Sequence, residues 1–186
     1  MRRPAPRASV SPTSRSGSTT RRVEFGALLH DIGKISVPKE ILNKPGPLDD
    51  DEWAVMHRHT IEGEWMLGQV GGLLAEVGRM VRSSHEHFDG SGYPDGLAGT
   101  EIPIEARIVS CCDAFSAMTT DRPYRKAMPL EAALLELDAC AGTQFDPAVA
   151  AALAAVVTAQ IHKWAQRRTE SGAALPFPVR GTPGSS

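Results

Sequence analysis

The chain has 186 residues, enough for one domain with a real core and too few for two comfortable ones. It is 41% hydrophobic and 23% charged, and its net charge of -2 gives no electrostatic reason to expect duplex nucleic acid or a membrane surface as partner. No run approaches ~20 consecutive apolar residues, so no membrane span is expected. The three cysteines, Cys111, Cys112 and Cys140, include no CxxC and fit neither a disulfide framework nor a zinc knuckle; they read as small thiols of a cytoplasmic protein.

Residues 1–22 hold six Arg, many Ser, Thr and Pro, and no acid. Such a lead cannot bury enough surface to offset its chain entropy and is expected to be disordered. It has no apolar h-region, so it is not expected to be a secretory signal. Residues 23–31 carry Val23, Ala27, Leu28 and His30 at helical spacings, stopped by Gly33. Pro38 opens a short helical turn through Leu42. Asp49 to Asp51 supply an N-cap and an acidic first turn for a helix to about His59. A related helix continues to about Val70, where Gly71-Gly72 ends it, and Leu73 to Ser84 forms the next. A Gly-rich loop covers about 86–100. Helix resumes near Pro103 and runs to about Thr119, with an ambiguous strand-like stretch near Ile102 to Val109. Two more helices are predicted at about 129–140 and 147–168, and 169–186 reads as a flexible tail. The expectation is an all-α bundle over 23–168, without internal repeats.

Within that bundle, His30-Asp31, His59, His85 and Asp113 follow one another at steps of 29, 26 and 28 residues, each about one helix-turn-helix unit. Ligands from facing helices converge in bundle cores, which is how such folds build metal sites. An imidazole nitrogen beside a carboxylate suits a borderline divalent ion, and one carboxylate can bridge two ions. The pair follows the apolar run Ala27-Leu28-Leu29, at the end of a helix expected to be buried, where both groups need partners. Lys34, just past a glycine, is placed either to hold a phosphate oxygen or to cap a helix C-terminus.

These residues lie in longer motifs. His30-Asp31-Ile32-Gly33-Lys34 resembles the HDxGK signature of HD-superfamily phosphohydrolases. His85-Glu86-His87-Phe88-Asp89-Gly90-Ser91-Gly92-Tyr93-Pro94 resembles the HHExxDGxGYP signature of the HD-GYP branch. The segment from Asp113 through Ala117 and Thr119 to Arg122-Pro123-Tyr124-Arg125 resembles the branch's DxxxAxTxxRPYR segment, and Gly142-Thr143-Gln144-Phe145-Asp146-Pro147 its GTxFDP turn. The resemblance covers about Phe25 to Leu153. It implies an all-helical HD-domain bundle with a Gly-rich GYP loop beside a core metal site, hydrolysing cyclic di-GMP to the linear dinucleotide and on to GMP in bacterial second-messenger signalling. It further implies two divalent ions, or three, with Fe or Mn as the metal. His30, Asp31, His59, His85 and Asp113 would be the ligands, with Asp31 bridging. Lys34 would steady the scissile phosphate and help the attack on it. Arg122 and Arg125 would contact the ligand's guanine or phosphate side, and Gly92, Tyr93 and Pro94 would form the loop beside it. Domains of this branch often dimerise or follow a sensor or receiver domain.

Three departures accompany the resemblance. The branch carries upstream helices that supply a further His and often a Glu, but no His precedes His30 here, so the domain is expected to be cut short at its N-terminus. Ser84 replaces the first of the tandem histidines, which argues for two ions rather than three. Ser116 stands where the branch often has Asp. His57 and His87 flank motif histidines as alternative ligands, although His57 is expected on a different helical face from His59; His162 reads as a surface residue. A module that binds a nucleotide or partner protein without turnover, and hydrolysis of another phosphoester, stay open as rival readings.

Overall fold

The computed structural model describes residues 12–122 and 125–171. In chain order the helices are α1 (Pro12–Leu29), α2 (Lys39–Leu42), α3 (Asp50–His57), α4 (His59–Val70), α5 (Gly72–Arg82), α6 (Ile104–Thr119), α7 (Leu130–Ala139) and α8 (Pro147–Ser171). Short 3-10 turns lie at Ile32–Ser36 and Gly99–Glu101. Among the described residues there is no strand, only isolated bridges. The all-helical expectation holds, and the ambiguous stretch near Ile102 enters α6, with Ile102 itself buried at its start.

Two apolar clusters hold the bundle. The first joins α1, α4, α5 and α6 through Leu67, Val77, Met80, Val81, Ile102, Ala106 and Val109, with Val23, Leu29 and Ile32 packed against it. The second joins α6, α7 and α8 through Cys111, Met118, Ala133, Leu137, Phe145 and Ala150. The long α6 belongs to both and carries Asp113. Each fully buried Val or Ile side chain contributes roughly 1.5–3 kcal/mol, so these two clusters dominate the folding energy.

Helix starts follow local chemistry. Asp49 caps α3 in a reciprocal capping box with Glu52, and Glu52 also pairs with Lys44. Asp146, just before α8, accepts from the Ala148 N–H at 2.8 Å and pairs with Arg107 of α6. The structure corrects the boundary of the lead: α1 begins at Pro12, so residues 12–22 are helical rather than disordered. An apolar pattern could not reveal this, because polar bonds anchor the segment. The Arg22 guanidinium donates to Glu105 at 2.9 Å, Glu76 at 3.1 Å and Ser18 at 2.9 Å, tying α1 to α5 and α6. The expected disorder of residues 1–11, and the tail beyond Ser171, lie outside the described residues.

Helix α8 also qualifies the expectation of no membrane span. By length and composition alone, Pro147–Arg167 is long and apolar enough to cross a membrane. Its alanines raise the mean without forming an unbroken apolar run. Its first turns pack on α6 and α7 through Val149, Ala150 and Leu153, as a bundle helix does.

Candidate metal centre

The His-Asp pair sits in the turn between α1 and the first 3-10 segment, pressed onto α4. Gly33 makes this approach: a Cβ there would lie 1.8 Å from the His59 carbonyl oxygen and 2.6 Å from the Gly63 nitrogen. Gly63 is also close-packed, though less severely: a Cβ there would lie 2.9 Å from Val81 Cγ1 and 3.4 Å from Ile32 Cγ2. The glycines therefore bring Asp31 to within reach of His59, at the start of α4, and of His85, in the turn after α5.

The ligand atoms converge. Asp31 Oδ1, His59 Nε2 and His85 Nε2 lie within 4.8 Å of one another, with His59 Nε2 3.5 Å and His85 Nε2 3.8 Å from the carboxylate oxygen. All three atoms are buried and have no hydrogen-bond partner. Leaving such atoms unpaired is costly, and a cation among them would satisfy all three. Beside them, His30 Nε2 lies 3.6 Å from Asp31 Oδ2 and 3.7 Å from Asp113 Oδ1. The donor set of imidazole and carboxylate fits a divalent transition-metal ion. All five sequence-predicted ligands are thus brought to one place. Asp31 is less enclosed than a buried helix end implies: its side chain is 41% exposed, with Oδ1 facing inward.

Backbone contacts set the imidazole tautomers. His59 Nδ1 donates to the Met56 carbonyl at 2.7 Å and His30 Nδ1 to the Ala27 carbonyl at 3.0 Å. A carbonyl only accepts, so the proton sits on Nδ1 and the Nε2 lone pair is left for a cation. Burial holds His59 below the ordinary imidazole pKa, against the raising effect of the Met56 bond, which keeps it neutral. Burial alone would push the Asp31 carboxyl up. The His85 ring and the Lys34 ammonium outweigh burial and hold it well below the usual carboxylate range. Lys34 Nζ donates to Asp31 Oδ2 at 2.7 Å, so Lys34 serves the carboxylate rather than a helix end.

The GYP loop forms a wall of the site. Its main chain is fixed by Glu86, a buried carboxylate that accepts from Asp95 N at 2.7 Å and Leu97 N at 3.1 Å. Arg82 clamps Asp95 with bonds of 2.6 and 2.8 Å and reaches Glu64 of α4 at 3.1 Å. Gly92 packs so tightly that a Cβ would lie 2.2 Å from the His87 nitrogen. Tyr93, next to Pro94, lies parallel to His85 at a centroid distance of 5.2 Å, and burial pushes its hydroxyl pKa up to about 12. Glu86 and Arg82 were not singled out from sequence; the only signal was a carboxylate inside the motif and an arginine thirteen residues before an aspartate.

Other candidates fall outside the ligand cluster. Ser84 is buried and its hydroxyl donates to the Val81 carbonyl at 2.8 Å, turned into its own helix end. His87 engages the Ser91 hydroxyl at 3.0 Å. Ser116 and His162 are exposed. His57 lies across the Arg58 junction from His59 and stacks on Tyr93. Arg122 and Arg125 are exposed on the turn after α6. They exchange main-chain bonds of 2.8 and 3.1 Å, and the Arg125 guanidinium also donates to the Ala117 carbonyl at 2.8 Å.

Comparison with known proteins agrees with this geometry. The family model described as HD domain matches residues 10–149. The chain is 46% identical over 133 residues to the cyclic di-GMP phosphodiesterase response regulator RpfG of Xanthomonas campestris, covering 71% of this chain and 35% of that protein. It is 42% identical over 128 residues to a cyclic di-GMP phosphodiesterase of Thermotoga maritima, covering 68% and 35%. It is also 42% identical over 127 residues to the 3'3'-cGAMP-specific phosphodiesterase 3 of Vibrio cholerae, covering 68% and 27%. The chain therefore spans about a third of the length of these relatives. A crystal structure of a cyclic GMP-AMP-specific phosphodiesterase of V. cholerae superposes with a TM-score of 0.58 at 18% identity, covering 76% of this chain and 39% of that one, a likeness of fold. With the HD turn, the helical bundle and the family match in agreement, the chain belongs to the HD domain family.

Proposed function

We propose that this chain is a metal-dependent phosphodiesterase domain that hydrolyses cyclic di-GMP to the linear dinucleotide, and on to GMP, in second-messenger signalling. The observation that carries this reading is the convergence of Asp31 Oδ1, His59 Nε2 and His85 Nε2, buried and unpartnered, with His30 and Asp113 alongside. Two divalent ions, Fe or Mn, would supply an activated water at neutral pH and stabilise charge on the phosphoryl oxygens.

The chain's own groups divide the work. Asp31 stays anionic at physiological pH and offers two oxygens, one toward His59 and His85 and one toward His30 and Lys34. Lys34, already at the rim with Asp31, is the cation that meets a phosphate oxygen of the substrate. Arg122 and Arg125 present exposed forked donors, suited to phosphate oxygens and to the guanine edge. Gly92, Tyr93 and Pro94 wall the site and orient the dinucleotide. The inward hydroxyl of Ser84 supports two ions rather than three. The rival reading is a module that binds a nucleotide or partner without turnover. We place the protein in the cytoplasm, a location its free cysteines support, and infer a sensor or receiver domain as its partner, as the response-regulator relative supports.

Hydrolysis of cyclic di-GMP and 3'3'-cGAMP by the Mn- or Fe-loaded protein, followed by chromatography with Asp31→Ala as control, tests this. The expected result is turnover of cyclic di-GMP that vanishes in the variant. Binding of the dinucleotide with no turnover would establish the rival module, and unchanged turnover in Asp31→Ala would overturn the mechanism.

A further inference from the structure

Of the three imidazoles around Asp31, two are aimed by a carbonyl. His30 and His59 each donate Nδ1–H to the main chain three residues earlier. Among the described residues His85 has no such bond; its ring is held by ring contacts. It meets the His59 ring edge-on at 4.9 Å and lies 5° from parallel with Tyr93 at 5.2 Å. Tyr93 is in turn stacked on His57 at 3.7 Å and 14°, and Trp53 lies 5.3 Å from His57 on the same helix. A row of four rings therefore runs from the half-exposed Trp53 to a ligand of the candidate metal centre.

We propose that His57 is a positioning residue: acting through the Tyr93 ring, it fixes the direction in which His85 presents Nε2 to the centre. This rests on the metal-centre reading above. His57 is well placed for the task. It is the last residue of α3, a helix with no buried residue, so its ring is the reach of α3 toward the site. The Tyr93 backbone is already tied to His85, donating N–H to the His85 carbonyl at 3.1 Å. What remains free in Tyr93 is the side-chain torsion, and a ring stacked at 3.7 Å restricts it. A flat aromatic surface suffices, so a phenyl ring should replace the imidazole.

The test uses His57→Ala, His57→Phe, Tyr93→Leu and the His57→Ala/Tyr93→Leu double variant, with two readouts. One is the Mn2+ dissociation constant by calorimetry; the other is the His85 imidazole signals by NMR in metal-free protein. His57→Ala is expected to weaken Mn2+ binding on the order of three- to tenfold, the scale of one aromatic pair acting behind a ligand, and to shift the His85 signals. His57→Phe should restore both, and His57→Ala should add nothing once Tyr93 is Leu. A lowered melting temperature with unchanged binding and His85 signals would make His57 a surface filler and overturn the proposal. Equal damage from Phe and Ala would show a role for its nitrogen, and additive losses would show that Tyr93 is not the route. Failure of the parent protein to bind Mn2+ would sink the metal-centre reading instead, while the His85 signals would still decide the role of His57.

Discussion

Replacing Gly33 by alanine would set a Cβ 1.8 Å from the His59 carbonyl oxygen, 2.6 Å from the Gly63 nitrogen and 2.8 Å from the His59 carbonyl carbon. Every obstacle is backbone of α4, so no side chain can swing aside. Cβ contacts essentially never fall below 3.0 Å, and the turn carrying His30 and Asp31 would have to retreat by about 1 Å. Overpacking of this kind costs roughly 1–3 kcal/mol, and a backbone obstacle argues for the upper end. At ~2–4 °C per kcal/mol for a domain of this size, the melting temperature should fall by about 6–12 °C. The displacement also separates Asp31 from His59, so Mn2+ affinity should fall more than stability alone explains. Gly68→Ala is the contrast. It sits exposed within α4 with nothing within 4 Å of a new Cβ, and should raise stability by ~0.5–1 kcal/mol through the helix preference for alanine. Thermal melts and Mn2+ titrations of the two variants check this. A Gly33→Ala protein that melts with the parent and binds Mn2+ equally well would refute the close-packed turn as the device that joins the ligands.

Three further outcomes follow from the loop, the second core and the arginines. Glu86→Gln replaces one of two buried accepting oxygens by a donor facing an N–H, and should cost about 1–3 kcal/mol while speeding amide exchange at Asp95 and Leu97. Asp146 has a pKa below its ordinary value: burial pushes it up, but the Ala148 N–H and Arg107 outweigh burial. Its stabilisation is therefore complete above about pH 4, the unfolded value, and is lost as pH falls through the folded one. Asp146→Asn should then melt below the parent at pH 7, with the gap closing as the pH falls below the unfolded value. Arg122→Ala should raise the KM for cyclic di-GMP with little change in melting temperature, since the side chain is exposed and the Arg122–Arg125 bonds are main-chain; a changed melt with constant KM would reassign it to the fold.

Much of the site was legible because its chemistry is carried by residue type and spacing. His30-Asp31, His59, His85 and Asp113 stand about one helix-turn-helix unit apart, and the bundle brings those steps together. Pro38 marked a true start for the same reason, since a helix start is local, whereas α1 ends at Leu29 and Gly33 falls inside the 3-10 turn Ile32–Ser36 rather than stopping the helix. The start of α1 was not legible, because Arg22 anchors it through carboxylates 54 and 83 residues away, which no apolar period reveals. The His57 assignment to a different helical face treated the segment as one helix, whereas α3 ends at His57 and α4 begins at His59. Its stacking partner Tyr93 comes from a loop with no periodicity to read. The alanines of α8 likewise spread hydropathy over a long window without an unbroken run, so a criterion of consecutive residues passed over it.

The central claim is that three orphaned buried atoms are the ligands of a cation. Calorimetric titration of the metal-free protein with Mn2+, beside Asp31→Ala and His59→Ala, tests it most directly. The account predicts saturable binding by the parent with a rise in melting temperature, both lost in each variant while helical content by circular dichroism is retained. Binding that survives intact in both variants, or a folded parent that takes up no Mn2+ or Fe2+, would contradict it.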